Sequence, residues 1–166
     1  LWAGFPAWGA PPDATDPGTH IDITYTYNLG PTGARGWVYS TGNEWLFVPE
    51  GLTIESRQIL ITSVDAGSPA YGVLTNDDVI VGIGSTLFTS DARKAYALAI
   101  GEAEKTANAG QLKLKVWRNG VTTDNVTITL PVMGSYSDTA PYNCPKSELI
   151  LTNACNYLAA RAINSG

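Results

Sequence analysis

Three observations predict a mixed α+β domain that is mainly β. Short runs of β-branched and aromatic residues recur from His20 to Leu130, punctuated by glycine. One stretch, from about Ser90 to Lys105, interrupts them with residues that favour helix. Apolar residues make up 44% of the 166 and charged residues only 15%, the balance of a sheet-rich globular chain and not of a disordered one.

Residues 1–19 hold Pro6, Pro11, Pro12 and Pro17, two tryptophans and no periodicity, so they read as an irregular arm. From Ile21 the chain alternates, with Ile21, Ile23, Tyr25 and Tyr27 on one face, which predicts a half-buried first strand. Gly30, Gly33 and Gly36 then mark a loop, and Trp37-Val38-Tyr39 reads as the strand that leaves it. Thr41 to Ser56 is longer than a tight hairpin needs and predicts an extended excursion.

Two apolar runs follow, Ile59-Leu60-Ile61 and Val79-Ile80-Val81, on either side of Gly67-Ser68-Pro69-Ala70. Ser68 suits the cap of a short helix and Pro69 its first turn. After the short apolar piece Leu87-Phe88, Thr89-Ser90-Asp91 opens the long helix, whose stripe is Ala92, Ala95, Tyr96, Ala99 and Ala103. Asn108 and Gly110 supply its stop signals. Alternation at Leu112, Leu114 and Val116, then Asn119-Gly120, then Val126, Ile128 and Leu130 predicts a β-hairpin. Residues 132–147 carry turn residues without a period and read as a linker. Residues 148–166 read as the start of a helical segment or further domain, with Leu151, Cys155, Leu158 and Ala162 on one stripe.

The blocks DAGSPAYG, LTNDDVIVGIGS and LKLKVWRNG, in that order around the strands and the helix, resemble a PDZ domain of the bacterial, HtrA-associated kind. Asp77 replaces the glycine usual before Asp78, and Gly84-Ser85 replaces an Asn-Gly turn; both are positions where Asp and Gly tolerate positive φ. The resemblance covers residues 20–131 and implies a partly open antiparallel β-sandwich or barrel capped by one short and one long helix. It also implies a site. Gly33, Ala34, Arg35 and Gly36 would offer main-chain amides to a peptide carboxylate, Trp37, Val38 and Tyr39 would pair with the peptide, and Ala92 and Tyr96 would form the helix wall. Arg35 would either bind that carboxylate or fold over the groove. The run from Val132 to Leu151 is similar to junctions in large bacterial proteins that place a PDZ-like domain before a helical one.

Other chemistries find no support in the residues. A net charge of −5 and a pI near 4.7 argue against a nucleic-acid partner. No apolar run reaches the roughly 20 residues of a membrane helix. The glycines between Gly30 and Gly36 lack a following Lys-Ser or Lys-Thr and lead to a strand, so no phosphate loop is expected. His20 is the only histidine, and no Gly-x-Ser-x-Gly elbow accompanies it. Cys144 and Cys155 form no C-x-x-C pair, so neither a metal nor a cofactor is expected; they would be two thiols or one disulfide.

The expected function is a non-catalytic interaction module that binds a peptide C-terminus or an extended segment, or holds a neighbouring domain. Two alternatives stand beside it: a substrate-recruiting part of a larger enzyme such as a protease, and a spacer whose groove is filled by its own arm, Leu1–Pro17. A periplasmic or secreted setting is the favoured expectation.

Overall fold

Seven antiparallel strands form one sheet among the residues described by this computed structural model, which are 13–39 and 57–163. The strands are β1 (Tyr27–Asn28), β2 (Ala34–Trp37), β3 (Ile59–Val64), β4 (Val79–Ile83), β5 (Thr86–Leu87), β6 (Gln111–Arg118) and β7 (Val121–Thr129), with helices α1 (Ala92–Ala103) and α2 (Pro145–Ile163). The order across the sheet is β1-β2-β3-β4-β6-β7, and β5 pairs with β4 off that path. The sheet is open: β1 and β7 lie at opposite ends of its order. The first part of the arm, Leu1–Pro12, and the excursion Thr41–Ser56 lie outside the described residues.

Alternation sets which side chains go inside on β3, β6 and β7, whereas β4 buries two successive residues, Val79 and Ile80. Ile59 and Ile61 of β3, Val79 and Ile80 of β4, and Leu112, Leu114 and Val116 of β6 are all buried, as are Val126 and Ile128 of β7. Each contributes about 1.5–3 kcal/mol by leaving water. Helix α1 lies against β4 and β6 and adds Ala92, Tyr96 and Ala103 to that core. Its start is the expected one. Asp91 is the cap and accepts a bond from the Arg93 amide, which satisfies one of the orphan donors of the first turn. Its end is held by Asn108 Nδ2, which donates to the Glu102 carbonyl, and by the Gly110 amide, which donates to Ala103. Asn119 and Gly120 both take positive φ, 49° and 86°, as the hairpin turn demands. Asp77 and Gly84 also take positive φ, 68° and 55°.

Three expectations are corrected. Ile21 to Tyr27 is not a half-buried strand: only Tyr27 and Asn28 pair, and Ile23 and Tyr25 are 50% and 81% exposed. Asp22 accepts bonds from the amide and hydroxyl of Thr24, and this local turn bends the chain away from any partner. The loop and strand boundary also moves. Gly30–Thr32 is one 3-10 turn and the strand begins at Ala34, so Val38 and Tyr39 lie beyond its end. Finally, no short helix forms at Ser68. Asp65 to Leu74 is a succession of turns closed by Ser68, Tyr71, Val73 and Leu74 amides, and the Ser68 hydroxyl caps nothing. Gly67 and Gly72, both at positive φ, leave too few residues between them for a helical ladder.

Residues 132–147 are a strap laid on the end of α1. The Met133 and Gly134 amides both donate to the Glu104 carbonyl, and Lys146 Nζ lies 2.6 Å from the Glu104 carboxylate and 4.7 Å from the centre of the Tyr136 ring. Lys146 is only 4% exposed and Glu104 12%, so the pair is largely shielded from water. Beyond it α2 is exposed along its length, and Leu151, Cys155, Leu158 and Ala162 all face solvent. The two cysteines are separate thiols, Cys144 buried and Cys155 exposed. Hydrogen bonds from Ser147 and from the Ser137 amide pull the Cys144 thiol down to about 6. Although Cys144 is ionised at pH 8, alkylation of the folded chain should label Cys155 within the time that leaves Cys144 untouched. Mass spectrometry of the peptides reads this, and equal labelling would show that the strap is not docked.

Candidate functional site

The outer edge of β2 is the site the sequence singles out, and the chain itself lies on it. On one side Arg35 pairs with Ser63 and Gly36 with Ile61 of β3, with a bulge between the two. On the other side Gly36 pairs with Tyr27 and Arg35 with Asn28. The Leu29 amide then donates to the Ala34 carbonyl at 3.0 Å and closes the turn.

That turn uses its own polar groups. Gly33 N–H donates to the Gly30 carbonyl and Ala34 N–H to the Thr32 hydroxyl, while Thr32 Oγ1 donates to the Leu29 carbonyl. Asn28 Oδ1 accepts from Gly30 N–H, and Pro31 has no N–H to place. The Thr32 and Gly33 carbonyls accept from Ala70 and Asp65 and so bind the turn to the segment after β3. The amides of Gly33 and Ala34 therefore point into the turn and not outward as an anion nest. Gly33 and Gly36 are required for close approach instead. A Cβ on Gly33, where φ is +70°, would sit 2.2 Å from Ser68 Cβ, and one on Gly36 would sit 2.7 Å from Ile59 Cγ2.

Arg35 takes neither carboxylate nor groove floor. Its side chain is exposed and reaches back to Thr26, donating from Nε to the hydroxyl at 3.1 Å and from Nη2 to the carbonyl at 3.0 Å. Trp37 is half-buried with its ring centre 6.4 Å from that of Tyr39, and Val38 is buried. Ala92 and Tyr96 are both core residues. Burial pushes the Tyr96 phenol up to about 12, the Thr32 hydroxyl pulls weakly the other way, and no partner meets hydrogen-bonding geometry at its Oη. The residues expected to form an open groove are thus brought together, but against one another.

The segment along β2 also meets α1. Arg93 lies over the Tyr27 ring at 6.0 Å, and Ile100 Cδ1 lies 3.6 Å from where a Gly30 Cβ would be. Leu29 is buried in the core beside Gly36. Tyr27 and Asn28 thus pair with β2 as an added strand does, while Leu29, at φ −94° and ψ 31°, leaves the extended path and turns its side chain into the core. The described part of the arm is elsewhere. The Ala14 amide and the Asp13 carboxylate bind the Gln58 side chain, and burial there is outweighed by the Gln58 and Thr15 hydrogen bonds, which leave the Asp13 carboxyl below its ordinary range.

Sequence reasoning overlooked two ion pairs, Lys146–Glu104 at the strap and a second one built on Asp78. Asp78 is 1% exposed, accepts from the Thr75 amide, and receives two bonds of 2.6 Å from Arg118, whose Nη2 also donates to the Val73 carbonyl. Its only sequence signal is an arginine just before the Asn-Gly turn. Among the described residues no group of three or more His, Cys, Asp or Glu side chains gathers, and no helix is long and apolar enough to cross a membrane. No protein-family model matches the chain, and no curated protein matches it either.

Proposed function

We propose that the chain is a non-catalytic, PDZ-like interaction module that holds an extended segment by strand addition between β2 and α1, and that the segment it holds is its own Tyr27–Leu29. The observation that carries this reading is the pairing of Tyr27 with Gly36 and Asn28 with Arg35 on the edge of β2 away from β3, with Arg93 of α1 over the Tyr27 ring. The element order agrees with it: strand, turns, strand, short strand, long helix, hairpin. The occupant differs from the arm expected from sequence, because Asp13 and Ala14 are tied to Gln58. The module then works as a mount. It fixes an incoming segment at the start of α1 and an outgoing helix at its end, through Glu104.

Nuclear Overhauser contacts in solution test the reading. Tyr27 should show cross-strand contacts to Gly36, and its ring protons should contact the Arg93 side chain. Their absence from the intact chain, with Gly36 still in contact with Ile61, would refute the self-held segment.

A further inference from the structure

We infer that the face of the sheet turned away from α1 carries a site for an organic cation, an alkylammonium group whose apolar stem lies along Leu60 and Trp117 and whose charge meets the carboxylates of Asp16 and Asp77. The site is apart from the outer edge of β2, so it stands or falls independently of the preceding reading. Directly paired residues on neighbouring strands point to the same side of a sheet. Trp37, Leu60, Val79, Trp117 and Thr122 are paired in that way, one after another, across β2, β3, β4, β6 and β7. Val79, in the middle of this row, is fully buried but stands apart from the core under α1, to which its neighbour Ile80 belongs. The row is therefore a second apolar surface. Residues 14–23 of the arm, tied at Ala14 to the Gln58 side chain, face it across a cleft of about 520 Å³.

The lining specifies the ligand. Leu60 and Trp117 on the sheet and Ile21 and Ile23 on the arm offer apolar walls to a short stem, and an indole attracts positive charge over its ring. Asp16 and Asp77 join that lining, and among the described residues no lysine, arginine or histidine does. Asp77 is set in place by its main chain: φ is 68°, and its amide donates to the Ile61 carbonyl at 3.0 Å. Its carboxylate has no hydrogen-bond or ion-pair partner among the described residues, whereas that of the adjacent Asp78 is taken by Arg118. The Asp16 carboxylate accepts from the Gly18 amide and the Thr19 hydroxyl of its own turn, at 3.0 and 3.2 Å, and meets no cation. An anionic ligand would meet like charge here, and a neutral one would leave both carboxylates unanswered. An ammonium on an apolar stem answers both parts of the lining, and the cleft lies within the roughly 300–1,000 Å³ of sites for small ligands.

The probe is n-hexylammonium, titrated into the isotope-labelled full chain, with 1-hexanol and hexanoate as neutral and anionic controls of the same stem. The expected result is saturable resonance shifts of the Trp117 indole N–H and the Leu60 and Ile21 methyl groups, with hexanol weaker by about tenfold and hexanoate without effect. Asp77→Asn and Asp16→Asn each remove a charge but keep a side chain that tolerates positive φ at 77 and closes the turn at 16, so the fold is preserved. Each should weaken hexylammonium binding by roughly threefold and the two together by roughly tenfold. Nα-acetyl-lysine methylamide, titrated alongside, separates the sources of the cation. Tighter binding of this blocked lysine assigns the cleft to a lysine side chain of a partner, and tighter binding of hexylammonium assigns it to a free amine. Binding of neither, equal affinity for hexanol and hexylammonium, an unchanged affinity in the doubly substituted chain, or shifts confined to the β2 edge and α1 would each overturn the inference.

Discussion

Arg118→Met should lower stability by about 3 kcal/mol and the melting temperature by about 6–12 °C. The substitution leaves the Asp78 carboxylate, 1% exposed, with only the Thr75 amide for company. Breaking a buried pair from one side costs about 3–5 kcal/mol, and the lower end applies because the Arg118 side chain is 39% exposed and water reaches it. The Val73 carbonyl also loses its donor, so the turns between β3 and β4 loosen. Replacing both partners, Arg118→Met with Asp78→Leu, should recover most of the loss, since an apolar pair needs no compensation for desolvation. Denaturant unfolding of the single and double variants decides it; a double variant worse than Arg118→Met would refute the account. The Asp78 hydrogen bonds hold the Arg118 guanidinium above its ordinary value. A raised folded value contributes stability that is complete below the unfolded value and is lost only as pH rises through the folded one, in the strongly alkaline range. Arg118 itself therefore adds no slope to stability between about pH 5 and 9.

Gly33→Ala should cost about 3 kcal/mol, and Ser68→Gly in the same chain should return about half of it. Two terms add at this position. An L-residue at φ +70° costs about 1–2 kcal/mol, and overlap of the new methyl with Ser68 Cβ, at 2.2 Å, adds about 1–3 kcal/mol of overpacking. Ser68→Gly removes only the second. Because the Ser68 hydroxyl is buried without a partner, deleting it sacrifices no hydrogen bond. Thermal unfolding of the two single variants and the double measures the coupling. Simple additivity would show that the turn does not rest on Ser68. The same cycle bears on function, since the Gly33 carbonyl and the Ala34 carbonyl hold the two ends of the turn that delivers Leu29 to the core.

Much of the framework was legible in one dimension. Ile59-Leu60-Ile61, Val79-Ile80-Val81 and the hairpin around Asn119-Gly120 are specified by short-range pattern, because a side-chain period of two and a turn that demands positive φ leave few other conformations. Asp91 likewise announces α1 by its own capping chemistry. The failures share a cause. Ile21 to Tyr27 alternates as a strand does, yet alternation cannot supply a partner, and the Asp22–Thr24 turn wins where none is near. Gly30 to Gly36 reads as loop because glycine is permissive, whereas Gly36 is needed so that β2 can pass close to Ile59.

By itself the sequence determined the strands and the long helix over residues 57–130, though not the turns around Ser68 where it indicates a short helix, since those choices rest on periodicity, capping and turn residues that act within a few positions. Only the tertiary structure decided that the edge of β2 is covered by Tyr27 and Asn28, that Arg35 clamps Thr26, and that Arg118 meets Asp78 across 40 positions. Such pairings depend on which surfaces are left unsatisfied once the local elements exist. No periodicity records that, because the groups concerned are main-chain donors and long polar side chains whose partners are set by the path of the chain.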